Sequence, residues 1–263
     1  MWSGHIEPSD FYSVKLFRYM IHHLRNLALA LGLMFSAHTH VSAQIGEARD
    51  AVAIGFNAGA ALNSISFDPT IKQNMHKGAT FGMTLRLTSE KYFKTLCALQ
   101  MEVNYAQLGW DENIHSSGDV PLADTYSRQM NYVQIPMLAR LGWGHEQRGL
   151  MAYFLAGPQV GFCVNSRSKY GDTWTINSEG NPDRLNNMFA QYDMDIDHKF
   201  DYGITGGLGV EANTKIGHFM VDGRYYYGLS DIFSNSKKDV FSRSNHGTIV
   251  VKFTYLIDIK RRK

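Results

Sequence analysis

The sequence predicts an all-β protein, an eight-stranded antiparallel up-and-down transmembrane β-barrel preceded by a cleaved signal peptide. Three observations carry that expectation. Stretch after stretch alternates apolar and polar residues with a period of two, the connections between stretches alternate between long and short, and an export signal is followed by no second long apolar run. The composition agrees, with 24 Gly, 14 Tyr and 15 Phe in 263 residues, residue types that build strands and turns. A formal net charge of +2 gives no broad basic field, so nucleic acid is not an expected partner. The mean hydropathy of −0.26 decides nothing, because a barrel with a polar interior hides its lipid-facing band from an average.

At the amino terminus, Met20 makes a better start than Met1, so residues 1–19 read as an over-long start. Arg25 leads into the apolar run LALALGLMF at 27–35, and Val41-Ser42-Ala43 closes a segment of small residues. This predicts a signal peptide over 20–43 with cleavage after Ala43. The run is too short to span a bilayer, and no Cys follows it to carry a lipid. The mature chain is therefore expected to leave the cytoplasm without a helical or lipid anchor, with its barrel over 44–259 and a basic periplasmic tail at 260–263.

Eight stretches carry the alternation. In the first, 52–62, Val52, Ile54, Phe56 and Leu62 oppose Ala53, Gly55, Asn57 and Gly59. In the second, 77–88, Phe81, Met83, Leu85 and Leu87 oppose Thr80, Thr84 and Arg86. The third, 93–109, sets Leu99, Met101, Val103 and Tyr105 against Gln100, Glu102 and Asn104. The fourth, 126–142, sets Val133, Ile135, Met137 and Leu141 against Tyr132, Gln134 and Arg140. The fifth, 150–164, is apolar on both parities, so its faces stay unassigned; Pro158 within it marks a bulge or a gap in the ladder.

A hairpin over 200–232 supplies the sixth and seventh. Tyr202, Ile204, Leu208 and Val210 oppose Asp201, Gly203, Thr205, Gly207, Gly209 and Glu211, and Phe219, Val221, Tyr225, Tyr227 and Leu229 oppose Asp222, Arg224 and Tyr226. The eighth, 246–257, sets Ile249, Val251, Phe253, Tyr255 and Ile257 against Thr248, Lys252 and Thr254. The connections 63–76, 110–125, 165–199 and 230–245 are long and polar, whereas 89–92, 143–149 and 213–217 are short. That asymmetry is expected of an outer-membrane barrel with long loops outside and both termini in the periplasm. A soluble up-and-down barrel would carry polar residues on its outer parity, and here that parity is bulky and apolar.

The polar parity then faces a lumen. Arg86, Arg140, Arg224 and Lys252 share it with Glu102, Asp201, Glu211 and Asp222, a balanced set expected to pair across an interior just wide enough for side chains to fill. Turned outward, any of the basic groups would cost about 2–4 kcal/mol at the bilayer midplane. A conducting pathway is the functional alternative to this plugged interior.

Other residues invite chemistry. His115-Ser116-Ser117 lies on a polar loop, where an imidazole beside a hydroxyl could serve a lipid A deacylase. Asp193, Asp195 and Asp197 resemble the start of a calcium loop but lack its Gly and its later Glu; their alternation is expected to continue the sixth strand above the membrane. Gly203, Gly206, Gly207 and Gly209 lack dinucleotide-site spacing and a following helix, and are expected to let a narrow barrel bend and twist. Cys97 and Cys163 fall near opposite ends of their strands, so two free thiols are expected. No catalytic residue, cofactor or metal is expected.

The pieces YVQIPMLAR at 132–140, FLAGPQVG at 154–161, Asp201-Tyr202-Gly203 through Gly209-Val210-Glu211, and GRYYYGL at 223–229 together resemble the PorT family of outer-membrane β-barrels. The resemblance covers nearly all of the mature chain. It implies an eight-stranded outer-membrane barrel and, through PorT itself, a non-enzymatic component needed for protein secretion by the type IX secretion system. Outer-membrane lipid and other secretion-system or envelope proteins are then the expected partners. The chain departs from the terminal aromatic of many barrels, running on to Lys260-Arg261-Arg262-Lys263, a tail that a partner or anionic headgroups could hold. Two other functions stand beside secretion: a stand-alone structural or adhesive barrel, and a lipid A-modifying enzyme.

Overall fold

The computed structural model describes residues 46–260 apart from 147, 193 and 237. The over-long start at 1–19, the signal peptide at 20–43 and the tail residues 261–263 lie outside the described residues. The strands are β1 (Glu47–Asp68), β2 (Gln73–Asn74), β3 (His76–Tyr92), β4 (Thr95–Glu112), β5 (Tyr126–Gly144), β6 (Gly149–Tyr170), β7 (Phe200–Thr214), β8 (Gly217–Asp231) and β9 (Arg243–Lys260).

β1 pairs with β3 on one side and β9 on the other, β4 pairs with both β3 and β5, and the remaining long strands pair with their chain neighbours. Every pairing is antiparallel, so the eight long strands close into a ring and leave no unpaired edge. The two-residue β2 adds only a short step on β4, with Gln73 opposite Glu112 and Asn74 opposite Asp111.

The outward parity is apolar through a continuous band. Phe56, Phe81, Val103, Ile135, Phe154, Leu208, Val221 and Val251 are all exposed on it, as a lipid-facing surface requires. The fifth stretch now acquires faces: Met151, Tyr153 and Leu155 are buried inside, while Leu150, Phe154 and Phe162 point out. Around Pro158 the β5–β6 ladder skips from Pro136–Gln159 to Ala139–Ala156 without changing register. The proline makes a gap there, not a bulge, because it has no N–H to give the ladder.

The strands run further than expected. β3 continues through 89–92 to a turn at Phe93-Lys94, β5 and β6 join across 145–148, and β7 turns into β8 at Lys215-Ile216. Gly217 closes that last turn with φ of 140°, a conformation that side chains disfavour. At the other end β6 reaches Tyr170, so the connection expected over 165–199 occupies 171–199. Lys260, assigned to the tail, is the last residue of β9 and pairs with Val52.

At the end with the long connections the extra length has a physical cause: above the apolar band, β4 and β1 exchange inside and outside polarity while their alternation runs on unbroken. In β4 the outward series Leu99, Met101, Val103, Tyr105 is followed by Gln107 and Asp111, while the inward series Gln100, Glu102, Asn104 gives way to Ala106, Leu108 and Trp110. β1 does the same, passing to Ser64, Ser66 and Asp68 outside and Ile65 and Phe67 inside. The upper storey of the barrel is thus built like a soluble β-barrel, apolar within and polar without. A search for one constant apolar face stops where the lipid stops.

The sixth strand does not extend through Asp195 and Asp197. β7 begins at Phe200, and 3-10 turns at Leu185–Asn187 and Ala190–Tyr192 fold this connection over the barrel end. The amides of Asp197 and His198 both donate to the Ile232 carbonyl, at 3.1 and 3.2 Å, which ties the third long connection to the fourth and leaves no ladder to continue. Asp193 lies outside the described residues.

Candidate functional site

All eight charged residues expected in the lumen face inward and are buried. They form two knots and one outlier. Glu211 on β7 takes Arg86 from β3, with Nη1 2.8 Å from Oε1, and Arg140 from β5 on Oε2. The Arg140 guanidinium also lies 4.0 Å from the centre of the Tyr153 ring, a cation–π contact. Glu102 on β4 takes Lys252 from β9 at 2.8 Å and Arg224 from β8 at 2.9 Å, and Gln100 and Asn104 donate to the same carboxylate at 2.7 and 2.9 Å. Arg224 continues the second knot to Asp222, which also accepts the Tyr153 hydroxyl at 2.9 Å.

Asp201 is the outlier. Expected among the paired charges, it accepts the hydroxyls of Tyr226 and Ser230, each at 2.6 Å, and these satisfy a buried carboxylate without a cation. His218 went unnoticed in the sequence and stands at the foot of the lumen, its Nδ1 2.8 Å from Glu211 and its Nε2 3.0 Å from Asp258. It shares the inward parity of Asp222 and Arg224, so alternation alone could have found it. Tyr153 could not be found that way, because its strand is apolar on both parities.

Three β7 glycines make room for these groups. A Cβ on Gly209 would lie 2.5 Å from the Tyr153 hydroxyl, one on Gly207 would lie 2.9 Å from Arg224 Cγ, and one on Gly203 would lie 2.7 Å from the Tyr226 ring. Beside the Glu102 knot the lumen retains a cavity of about 20 Å³, lined by Thr80, Asn104, Gln134, Thr205, Arg224 and Lys252 among others, no larger than a water-sized hole. Beside the Glu211 knot, Ala53, Leu138, Leu155, Met220 and Leu256 pack into a small apolar cluster, with Ala53, Leu155 and Met220 directly across the ladder from Arg86, Arg140 and Glu211.

Above the knots the upper storey is sealed by aromatic rings. Phe67 and Trp110 meet edge to face at 5.2 Å, and Phe233 and Phe241 from the fourth long connection lie over Phe67 at 6.3 and 5.1 Å. Tyr126 extends the cluster to Tyr192 at 4.8 Å, and Tyr192 meets Trp174 at 4.9 Å. Residues of the third and fourth long connections thereby share one core.

A polar lock holds that core. Glu112 accepts the Tyr192 hydroxyl at 2.7 Å and the Gln191 amide at 3.0 Å. Arg184 donates to Tyr192 at 2.8 Å, pairs with Asp124 at 3.0 Å and lies 4.3 Å above the Trp174 ring. Burial, the largest influence, pushes the Glu112 carboxyl above its ordinary value, against the hydrogen bonds from Tyr192 and Gln191.

Folding favours protonated Glu112, so its contribution is whole below the unfolded value of about 4.3 and is lost as pH rises through the higher folded value. Limited proteolysis within 171–199 is expected to be slower at mildly acidic than at neutral pH. Glu112→Gln should slow it at neutral pH and flatten the difference, and a variant with the parent's full pH dependence would contradict this role.

The remaining expected residues are accounted for locally. His115 Nδ1 lies 3.0 Å from the Asn113 carbonyl, the Ser116 hydroxyl accepts the Val120 amide at 3.2 Å, and the Ser117 amide donates to Asp183 at 3.0 Å. Among the described residues no hydrogen bond joins His115 to either serine. Asp197 accepts the Ser234 amide at 2.9 Å. Cys97 and Cys163 are free thiols.

A closed transmembrane β-barrel with a filled interior and a structured loop end is the class that fold and site define. The chain belongs to the outer membrane protein beta-barrel domain family, whose model matches residues 42–234, and it is accordingly an outer-membrane protein. Its structure is similar to that of Ail, the attachment invasion locus protein of Yersinia pestis, at 14% identity over 80% of this chain and 99% of that one, with a TM-score of 0.34. It is similar also to the outer membrane protein OprG from Pseudomonas aeruginosa, at 12% identity over 81% and 97% of the two chains, with a TM-score of 0.39. Among curated protein sequences no match is found.

Proposed function

We propose that this protein is a non-enzymatic, stand-alone outer-membrane barrel whose working part is the platform formed by its long connections, used for structural or adhesive contact at the cell surface. The long connections then face outward, and the short turns and both termini lie in the periplasm. One observation carries the reading: the lumen is filled by buried ion pairs, while the loop end has an aromatic core of its own. An ordered loop end over a closed wall offers a recognition surface and no path for solute.

Two experiments test it. Protease added to intact cells should cut within 171–199, and protection of that segment would reverse the orientation. Replacing 171–199 by a short turn should abolish attachment of expressing cells to protein-coated surfaces while the barrel still inserts; undiminished attachment would refute the adhesive reading.

The secretion reading rests on the PorT-like pieces at 132–140, 154–161, 201–211 and 223–229, which here supply barrel wall and lumen lining. Deleting the gene and measuring exported proteases tests it, since unchanged export excludes a type IX role. The lipid A enzyme reading is tested by His115→Ala with Ser117→Ala: unaltered lipid A in the mass spectrum ends it.

A further inference from the structure

The outer wall of the upper storey is not uniform. On β4, β5 and β6 the first row above the apolar band is Gln107 opposite Asn131, with Asn131 opposite Asn165. The row beneath it is Tyr105, Val133 and Phe162, part of the lipid-facing band. The next row up is Gly109, Gln129 and Arg167, and the one after that Asp111, Ser127 and Lys169.

Burial and hydrogen bonding fix which way these side chains point. Ser166 accepts the inward Arg128 at 2.9 Å and Ser168 meets the inward Tyr126 at 3.0 Å, so Arg167 and Lys169 between and after them face out, and both are exposed. A register shift at Asn131/Tyr132, where β6 carries one extra residue, sets this parity. On β3, a Cβ on Gly78 would run into the Gln107 carbonyl, and the exposed Lys77 beside it borders the same wall. Among the described residues none of Lys77, Arg167 and Lys169 has an ion-pair partner. The wall's one carboxylate, Asp111, is taken by His76 at 2.9 Å and by the Ser127 hydroxyl.

The opposite wall is richer in carboxylates. Asp68 on β1, Asp231 on β8 and Asp197 before β7 stand above the band there, with Arg243 opposite Asp68. Arg243 and Lys199 on that side are set among the carboxylates of Asp68, Asp231 and Asp197, whereas the cations of the β4–β6 wall stand over a ledge of amides.

We propose that the wall of β4, β5 and β6 above the apolar band, with Lys77, is a docking surface for the phosphorylated sugar headgroup of an outer-leaflet glycolipid. Lys77, Arg167 and Lys169 would meet phosphates, with the last two about 6.6 Å apart on one strand face. Gln107, Asn131, Asn165 and Gln129 both donate and accept, as sugar hydroxyls require. The acyl chains continue down the apolar band below Tyr105 and Phe162. The assignment to the outer leaflet rests on the orientation proposed above; the binding itself does not.

The test uses the full mature chain in detergent micelles and native mass spectrometry, titrated with bisphosphorylated lipid A, its dephosphorylated form, or phosphatidylglycerol. Saturable binding of the bisphosphorylated form alone is expected, weakened about a hundredfold by Lys77→Gln with Arg167→Gln and Lys169→Gln. Arg243→Gln on the opposite wall should leave it unchanged. Equal binding of dephosphorylated lipid A or of phosphatidylglycerol overturns the proposal, as does wild-type affinity in the triple variant or an equal loss in Arg243→Gln. If the triple variant does not fold, Arg167→Glu is measured in its place, with a loss of at least about tenfold expected and an unchanged affinity overturning the proposal. Protease protection on whole cells would reverse the leaflet and leave these results intact.

Discussion

Glu211→Gln is expected to destabilise the barrel by about 3–5 kcal/mol, the range for removing one partner from a buried ion pair. Glu211 is the only carboxylate paired with Arg86 or Arg140 among the described residues, and both guanidiniums are buried, Arg140 completely. Without it, Arg140 keeps a Met151 sulfur and the face of Tyr153, and Arg86 keeps a Met220 sulfur. None of these offsets a charge taken out of water. His218 also loses its contact with the same carboxylate.

Removing charges in matched pairs should behave differently, since an ion pair replaced by apolar groups of similar volume is often close to neutral. Glu211→Gln combined with Arg86→Met should therefore be more stable than Glu211→Gln alone. Urea unfolding followed by the gel mobility difference between folded and unfolded barrels measures both. A change in Glu211→Gln within about 0.5 kcal/mol, the scale of ordinary surface substitutions, would mean the knot does not hold the lumen.

Trp110→Ala should cost a similar amount, about 3–5 kcal/mol, in a different place. Trp110 is wholly buried where Phe67, Tyr126 and Phe233 meet, and Arg128 lies 5.9 Å from its ring centre. The cavity opens in the upper storey, above the lipid band and above both charge knots. The expected result is local: connections 171–199 and 232–242 are cut faster by protease than in the unmodified protein, while the membrane-embedded wall still inserts and keeps its folded mobility. Failure of the whole barrel to insert would show that the two storeys are one cooperative unit.

The membrane storey was legible because lipid imposes a constant rule. Phe81 to Leu87 or Phe219 to Leu229 must be apolar outward, so the opposite parity identifies Arg86, Asp222 and Arg224 as lumen residues without any structure. Alternation reports a face but not a partner. Asp201 is therefore indistinguishable from Glu211 in the sequence, although one sits among hydroxyls and the other among guanidiniums. The upper storey was hidden for a related reason. Trp110 stands at a position that a membrane strand would give to a polar residue, so it reads as loop, while Tyr126 reads only as the first residue of the fourth stretch. The lock of Glu112, Arg184, Gln191 and Tyr192 joins residues far apart in the chain through turns with no periodicity to read.

If function resides at the loop end of a barrel filled by Glu102, Glu211 and their cations, the purified chain in a planar bilayer should show no stable open level. Glu211→Gln or Glu102→Gln should at most add brief, irregular current as the packing loosens. A steady conductance of single size in the unmodified protein would contradict the filled lumen, and with it the placing of function on the platform.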